Sequence, residues 1–200
     1  YNLYNEIKGF QKPEDLEWKV SVCIGQATEA LNRKFFEHES GMQVSTYRWS
    51  DAQFPDRVDW RHASYDGICL TSTQNWVPLE CKHTYHTNNI QKVVETYYAQ
   101  LHHYMLVSGI DFIYLSVFFG NFEYQYCKVS KDKKYMNELI KQTDKFKKML
   151  DTDIIPSRDV EEHKHIKSIV LDDMISIDYD KKKNNEFTSL ATEWCTTKDT

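Results

Sequence analysis

The sequence predicts an α/β fold, a mixed central β-sheet flanked by helices, and three observations predict it. Two pairs of short β-rich runs, 66–71 with 77–82 and 112–119 with 122–129, are each joined by a few turn-forming residues, as in β-hairpins. A long helical pattern stands between the pairs, so strands and helices alternate along the chain. The composition supplies a core: 13 Tyr and 10 Phe accompany only 6 Gly and 4 Pro, the reverse of a disordered chain.

Each element has its own signal. Over 24–39, Ala27, Ala30, Leu31, Phe35 and Phe36 recur three and four apart, which predicts a helix stopping at Gly41. Residues 42–49 carry Val, Thr, Tyr and Trp and read as a strand, with a loop around Pro55. Ser72, Thr73, Gln74 and Asn75 turn the first hairpin. Ile90, Val93, Val94, Tyr97, Tyr98, Leu101, Tyr104 and Met105 then keep helical spacing until Ser108 and Gly109 end the run. Gly120 and Asn121 turn the second hairpin, and 135–150 is a lysine-rich amphipathic helix. After Pro156 the pattern weakens, with a short helix expected over 160–174. The 200 residues suit a single domain, its core over about 24–150 and a charged, partly helical extension over 151–200.

No apolar run approaches the roughly 20 residues that span a bilayer, and the first residues lack the regions of a signal peptide. A soluble, cytoplasmic protein with no membrane partner is expected. Cys23, Cys69, Cys81, Cys127 and Cys195 are odd in number and contain no CxxC pair, so neither a disulfide framework nor a zinc ribbon is indicated. The chain opens on Tyr1, and a processed or trimmed product is expected. A net charge of -5 argues mildly against nucleic acid. Carboxylates gathered at a metal site, however, lower the net charge without repelling DNA once cations bind.

One constellation carries chemistry. Asp66 is followed by Gly67 and, across the hairpin turn, by Glu80, Cys81 and Lys82. Residues two apart on a strand share a face, so Glu80 and Lys82 project together while Cys81 points to the core, and the partner strand can bring Asp66 beside them. Two hard carboxylates suit Mg²⁺, one or two ions with Mn²⁺ as a substitute, which binds few protein ligands and shares a substrate phosphate. Lys82 is placed to orient a water or to balance the charge of a pentacoordinate transition state, which points to phosphodiester hydrolysis. Glu29 on the first helix is a candidate third acid, with a solvated helix-face glutamate as the alternative. Gln100 on the long helix is a candidate for holding the phosphate or the water, with a solvent-facing glutamine as the alternative. In a chain that is 28% charged, Glu-x-Lys arises by chance; the hairpin, Gly67 and the helix bearing Gln100 lift this instance above that background.

The segments 25–29, 64–67, 79–82 and 97–105 (GQATE, SYDG, LECK and YYAQLHHYM) resemble, in order and spacing, the YqaJ-like viral recombinase (phage lambda exonuclease) family of the PD-(D/E)xK nuclease superfamily. The resemblance covers about 24–128. It implies a restriction-endonuclease-like core, metal ligation by Asp66, Glu80 and the main-chain carbonyl of Cys81, a catalytic Lys82, and family roles for Gln100 and Glu29. It also implies digestion of linear duplex DNA from an end, often 5′ to 3′, a ring-shaped homotrimer, a single-strand annealing recombinase as partner and, for a viral chain, the host cytoplasm. Tyr65 stands where the family usually has Pro, and no basic pocket for a 5′ phosphate is legible. A structure-specific or restriction-type endonuclease is the competing enzyme, and a catalytically inactive DNA-binding or interaction protein the competing class.

Other candidates are weaker. His83, His86, His102 and His103 lack a zinc enzyme's spacing, although His83 can contact a phosphate. Only Cys195 lies near the C-terminus, which disfavours an iron–sulfur nuclease. Arg33, Arg48, Arg57 and Arg61 suit phosphates, with solvated arginines as an equal reading. The lysines of 131–148 alternate with Asp132, Glu138 and Asp144, as on a solvated helix face.

Overall fold

The computed structural model describes residues 1–46, 60–156 and 172–177. Along these the order is α1 (Asn2–Ile7), α2 (Val20–Ser40), β1 (Gln43–Ser45), β2 (Gly67–Leu70), β3 (Trp76–Thr84), α3 (Ile90–Ser108), β4 (Phe112–Phe119), β5 (Glu123–Ser130), α4 (Lys133–Asp151) and β6 (Asp172–Ile177). The six strands form one sheet in chain order. Neighbours pair antiparallel except β3 and β4, which run parallel. Parallel neighbours need a crossover connection, and α3 supplies it.

Both hairpins form where turn residues interrupt β-rich runs. In the first, Gln74 takes a positive φ of 61° and its amide bonds Thr71 O at 2.9 Å. α3 starts because the Asn89 side chain accepts the Lys92 amide at 2.8 Å. It ends at Gly109, whose φ of 76° is a left-handed conformation that costs glycine least. α4 is capped in the same way by Asp132, which accepts from Tyr135 N at 3.0 Å.

Helices cover both faces of the sheet. On one, Phe36 of α2 packs with Cys69, Val77, Leu79, Cys81, Tyr124 and Tyr126. On the other, Val94, Leu101 and Met105 of α3 and Met136 of α4 pack with Ile113, Leu115, Val117 and Val129. Burying each large aliphatic side chain in these layers stabilises the fold by roughly 1.5–3 kcal/mol. This is the mixed α/β, restriction-endonuclease-like architecture that the sequence predicts.

Two elements differ from expectation. The helix expected over 160–174 lies mostly outside the described residues, but 172–174 belong to strand β6, not to a helix. The physical reason is that β5 otherwise presents an unpaired edge, and a run containing the β-branched Ile175 and Ile177 pairs with it readily. The short α1 went unpredicted. Its six residues are too few to show a period, although Tyr4 within it is buried.

Candidate active site

The register of the first hairpin assembles the site. Gly67 lies opposite Leu79, so one residue further along Asp66 falls opposite Glu80. Glycine after Asp66 lets β1 pack close, because a Cβ at position 67 would lie 2.8 Å from Val44 Cγ1 and force that side chain to shift. Asp66 Oδ2 accepts the Cys81 amide at 2.8 Å, and its main-chain carbonyl accepts from Arg33 Nη1 at 2.9 Å. Burial raises the Asp66 carboxyl above the usual range, and the charge of Glu29 adds to this, against the Cys81 amide and Lys82.

Glu80 is an acid buried to 1% exposure in the layer beneath α3, among mostly apolar side chains. Its Oε1 accepts from Lys82 Nζ and, at 2.9 Å, from Gln100 Nε2. Its Oε2 is buried with no hydrogen-bond partner among the described residues. Burial and then the neighbouring Asp66 push its carboxyl up to about 8, against the pull of Lys82. An acceptor oxygen left orphaned beside a second carboxylate is costly unless a proton or a cation is shared between them.

Lys82 shares the Glu80 face of β3, and its ammonium sits 4.7 Å from the centroid of the Tyr97 ring. Burial by itself would lower its pKa, but the Glu80 and Asp66 carboxylates outweigh burial and raise it, so Lys82 is held charged. Gln100 donates to Glu80 and, at 2.8 Å, to Tyr104 Oη. The structure thus brings Asp66, Glu80, Lys82 and Gln100 into one cluster between β3 and α3.

The remaining sequence candidates sit elsewhere or are engaged. Glu29 is paired with Arg33 one helical turn along α2, and its charge reaches Asp66 through space. Among the described residues, no three His, Cys, Asp or Glu side chains converge as a metal cage. Arg33 is occupied by Glu29 and the Asp66 carbonyl. Arg61 is 6% exposed in its side chain and bonds Thr143 Oγ1 at 3.0 Å and Asp144 Oδ1 at 2.6 Å. Arg48 and Arg57 lie outside the described residues. His83 faces α2, with Nδ1 3.1 Å from Thr28 Oγ1, and lines a cavity of about 460 Å³ with Leu31, Phe35, Phe118 and Phe122.

Sequence reasoning missed three neighbours of the site. Tyr97 and Tyr104 read as part of an apolar stripe, yet with Gln100 between them they sit at i, i+3 and i+7 and turn toward Lys82 and Glu80. Asn32 is 1% exposed, and its Nδ2 donates to the main-chain carbonyl of Lys82 at 3.0 Å. Its signal was a polar residue four before Phe36 on the inward side of α2.

A family model described as the YqaJ-like viral recombinase domain matches residues 2–111, which include Asp66, Glu80, Lys82 and Gln100. The match starts well before the resemblance seen in the sequence and stops short of β4. No curated protein matches the chain.

Proposed function

The chain belongs to the YqaJ-like viral recombinase domain family, a family with a nuclease and recombination role on DNA, and from that premise we propose that it is a magnesium-dependent deoxyribonuclease acting on linear duplex DNA. The observation that carries this reading is the buried, partnerless Oε2 of Glu80 beside Asp66. Two carboxylates without a third acid fit Mg²⁺, which keeps most of its waters and needs only one or two protein carboxylates. Asp66 and Glu80 would hold the ion. The amide and carbonyl of an extended residue leave the strand on the same edge, so the Cys81 carbonyl would accompany its amide toward Asp66 and serve as the third protein ligand that the family resemblance implies.

A divalent ion held there would supply Lewis acidity on a phosphate oxygen and a more acidic water. The chain's own residues do the rest. Lys82, held charged, places an ammonium where negative charge grows on the phosphate. Gln100 fixes the Glu80 carboxylate with one N–H, and Tyr97 keeps the Lys82 ammonium over its ring. The Cys81 amide orients Asp66 toward Glu80 by holding one of its oxygens. Digestion from an end, 5′ to 3′, by a ring trimer that works with an annealing protein extends the same reading through the family resemblance.

The test uses a linear duplex labelled separately at each end and a covalently closed circle, incubated with Mg²⁺ or EDTA. Loss of the linear DNA alone, only with magnesium, is expected, and the labels give the polarity. Cutting of the circle replaces the exonuclease with an endonuclease. No cutting under any of Mg²⁺, Mn²⁺ or Co²⁺ overturns the enzyme reading in favour of an inactive DNA-binding protein.

A further inference from the structure

Tyr104 is linked to both arms of the carboxylate pair without touching either carboxylate. Toward Glu80, its hydroxyl accepts from Gln100 Nε2 at 2.8 Å, and the same amide donates to Glu80 Oε1 at 2.9 Å. Toward Asp66, its ring meets that of Tyr65 edge-on, centroids 5.1 Å apart and planes at 77°. Its main-chain carbonyl also accepts from Tyr65 Oη at 3.3 Å. Tyr65 is the residue covalently joined to Asp66. Gln100 and Tyr104 stand one turn apart on α3, so both links start from one rigid helix.

The chain just before Asp66 is fastened to the same side of the sheet. His103 Nε2 lies 2.8 Å from the His62 carbonyl, and Arg61 reaches Thr143 and Asp144 on α4. Asp66 therefore enters the site from a strap clamped onto α3 and α4, while Glu80 comes from the middle of the sheet. The hairpin register brings Asp66 opposite Glu80 and the Cys81 amide holds one Asp66 oxygen, so what remains to be held is the strap before Asp66 and the Glu80 side chain.

We propose that Tyr104 is a positioning residue that sets the spacing of Asp66 and Glu80, through Tyr65 on one side and Gln100 on the other. The proposal rests on the metal-dependent reading of that site. Ligands must be held to within about 0.5 Å of a productive geometry, which flexible carboxylates reach only when their supports are locked. Loss of the hydroxyl frees the Gln100 amide to turn from Glu80, and loss of the ring contact frees the strap that carries Asp66.

The test is a calorimetric titration of the full chain with Mn²⁺, without DNA, beside the Mg²⁺ dependence of duplex cleavage. Tyr104→Phe keeps the ring and loses the hydroxyl; Tyr65→Ala loses both the ring contact and the hydrogen bond to the Tyr104 carbonyl; Tyr65→Phe loses only that hydrogen bond. Loss of a supporting group outside the ligands typically weakens metal binding about 10- to 100-fold. Tyr104→Phe and Tyr65→Ala are each expected to weaken Mn²⁺ binding about tenfold. The Mg²⁺ needed for half-maximal cleavage should rise in step, with KM for DNA unmoved, while Tyr65→Phe, which keeps the ring contact, falls between the native chain and Tyr65→Ala. Native Mn²⁺ affinity in folded Tyr104→Phe and Tyr65→Ala overturns the proposal alone. A native chain that binds no Mn²⁺ overturns the metal-dependent reading and this proposal with it.

Discussion

The two faces of β3 lie one residue apart and do opposite work. Val77, Leu79 and Cys81 turn to α2 and are buried among Phe36, Tyr124 and Tyr126, where area removed from water is the whole gain. Glu80 and Lys82 turn to α3, where the same depth of burial raises the Glu80 carboxyl to about 8 and leaves one oxygen without a donor. The apolar face holds the strand in register, and the polar face uses that register to bring Asp66 opposite Glu80. Side-chain period on a strand is two, so a slip of one residue would exchange the faces and destroy both.

The largest effect that separates the faces is expected from Glu80→Gln. Replacing the buried carboxyl by an amide should raise the melting temperature of the metal-free chain, most of all above about pH 8 where Glu80 is charged, and cut magnesium-dependent cleavage by on the order of a thousandfold. Thermal melts and end-labelled cleavage check both, and a drop in melting temperature would mean that Glu80 is part of the scaffold. Leu79→Ala probes the other face. Leu79 is fully buried, so the change should cost about 2–5 kcal/mol in urea unfolding while folded molecules bind Mn²⁺ as before.

A pH series sharpens the contrast. Glu80 is raised from 4.5 to about 8, so between those values the folded chain holds a proton that the unfolded chain has lost. Metal-free stability from this group should therefore fall as pH rises through that window. A divalent ion displaces the proton, so binding near pH 7 should release about one proton, read by calorimetry in buffers of different ionisation enthalpy. Mn²⁺ should also raise the melting temperature more at high pH than at low.

The smallest effect concerns His102, fully buried in the α3 layer. Its Nδ1 lies 2.9 Å from Tyr98 O, and its Nε2 accepts the Asp132 amide at 3.0 Å, so the neutral ring is the form that fits. Burial lowers its pKa from 6.5. The unfolded chain then takes up the proton first, and stability is lost as pH falls below about 6.5, by at most ~1.4 kcal/mol per unit. His102→Gln should flatten that acid limb in denaturant melts.

Much of this was legible from the sequence because the signals are local. Period two in 76–84 and period 3.6 in 90–108 give strand and helix, and Asp66, Glu80 and Lys82 follow from spacing across one hairpin. What escaped is set by distant partners. Tyr97 and Tyr104 look like core aromatics until Lys82 and Gln100 are seen against them. Arg33 and Arg61 looked free to meet DNA, but their partners at Glu29, Asp66, Thr143 and Asp144 are decided by packing. The first three residues of β6 were read as the end of a helix because the pairing with β5 depends on an edge that no local pattern reveals.

The most direct test of the central claim is Lys82→Ala, measured for Mn²⁺ binding and for cleavage of a linear duplex in the same preparation. The carboxylates remain, so the folded variant should bind Mn²⁺ at least as tightly as the native chain yet cleave on the order of a thousand times more slowly. A folded Lys82→Ala that cleaves at the native rate would contradict the assignment of this cluster as the active site.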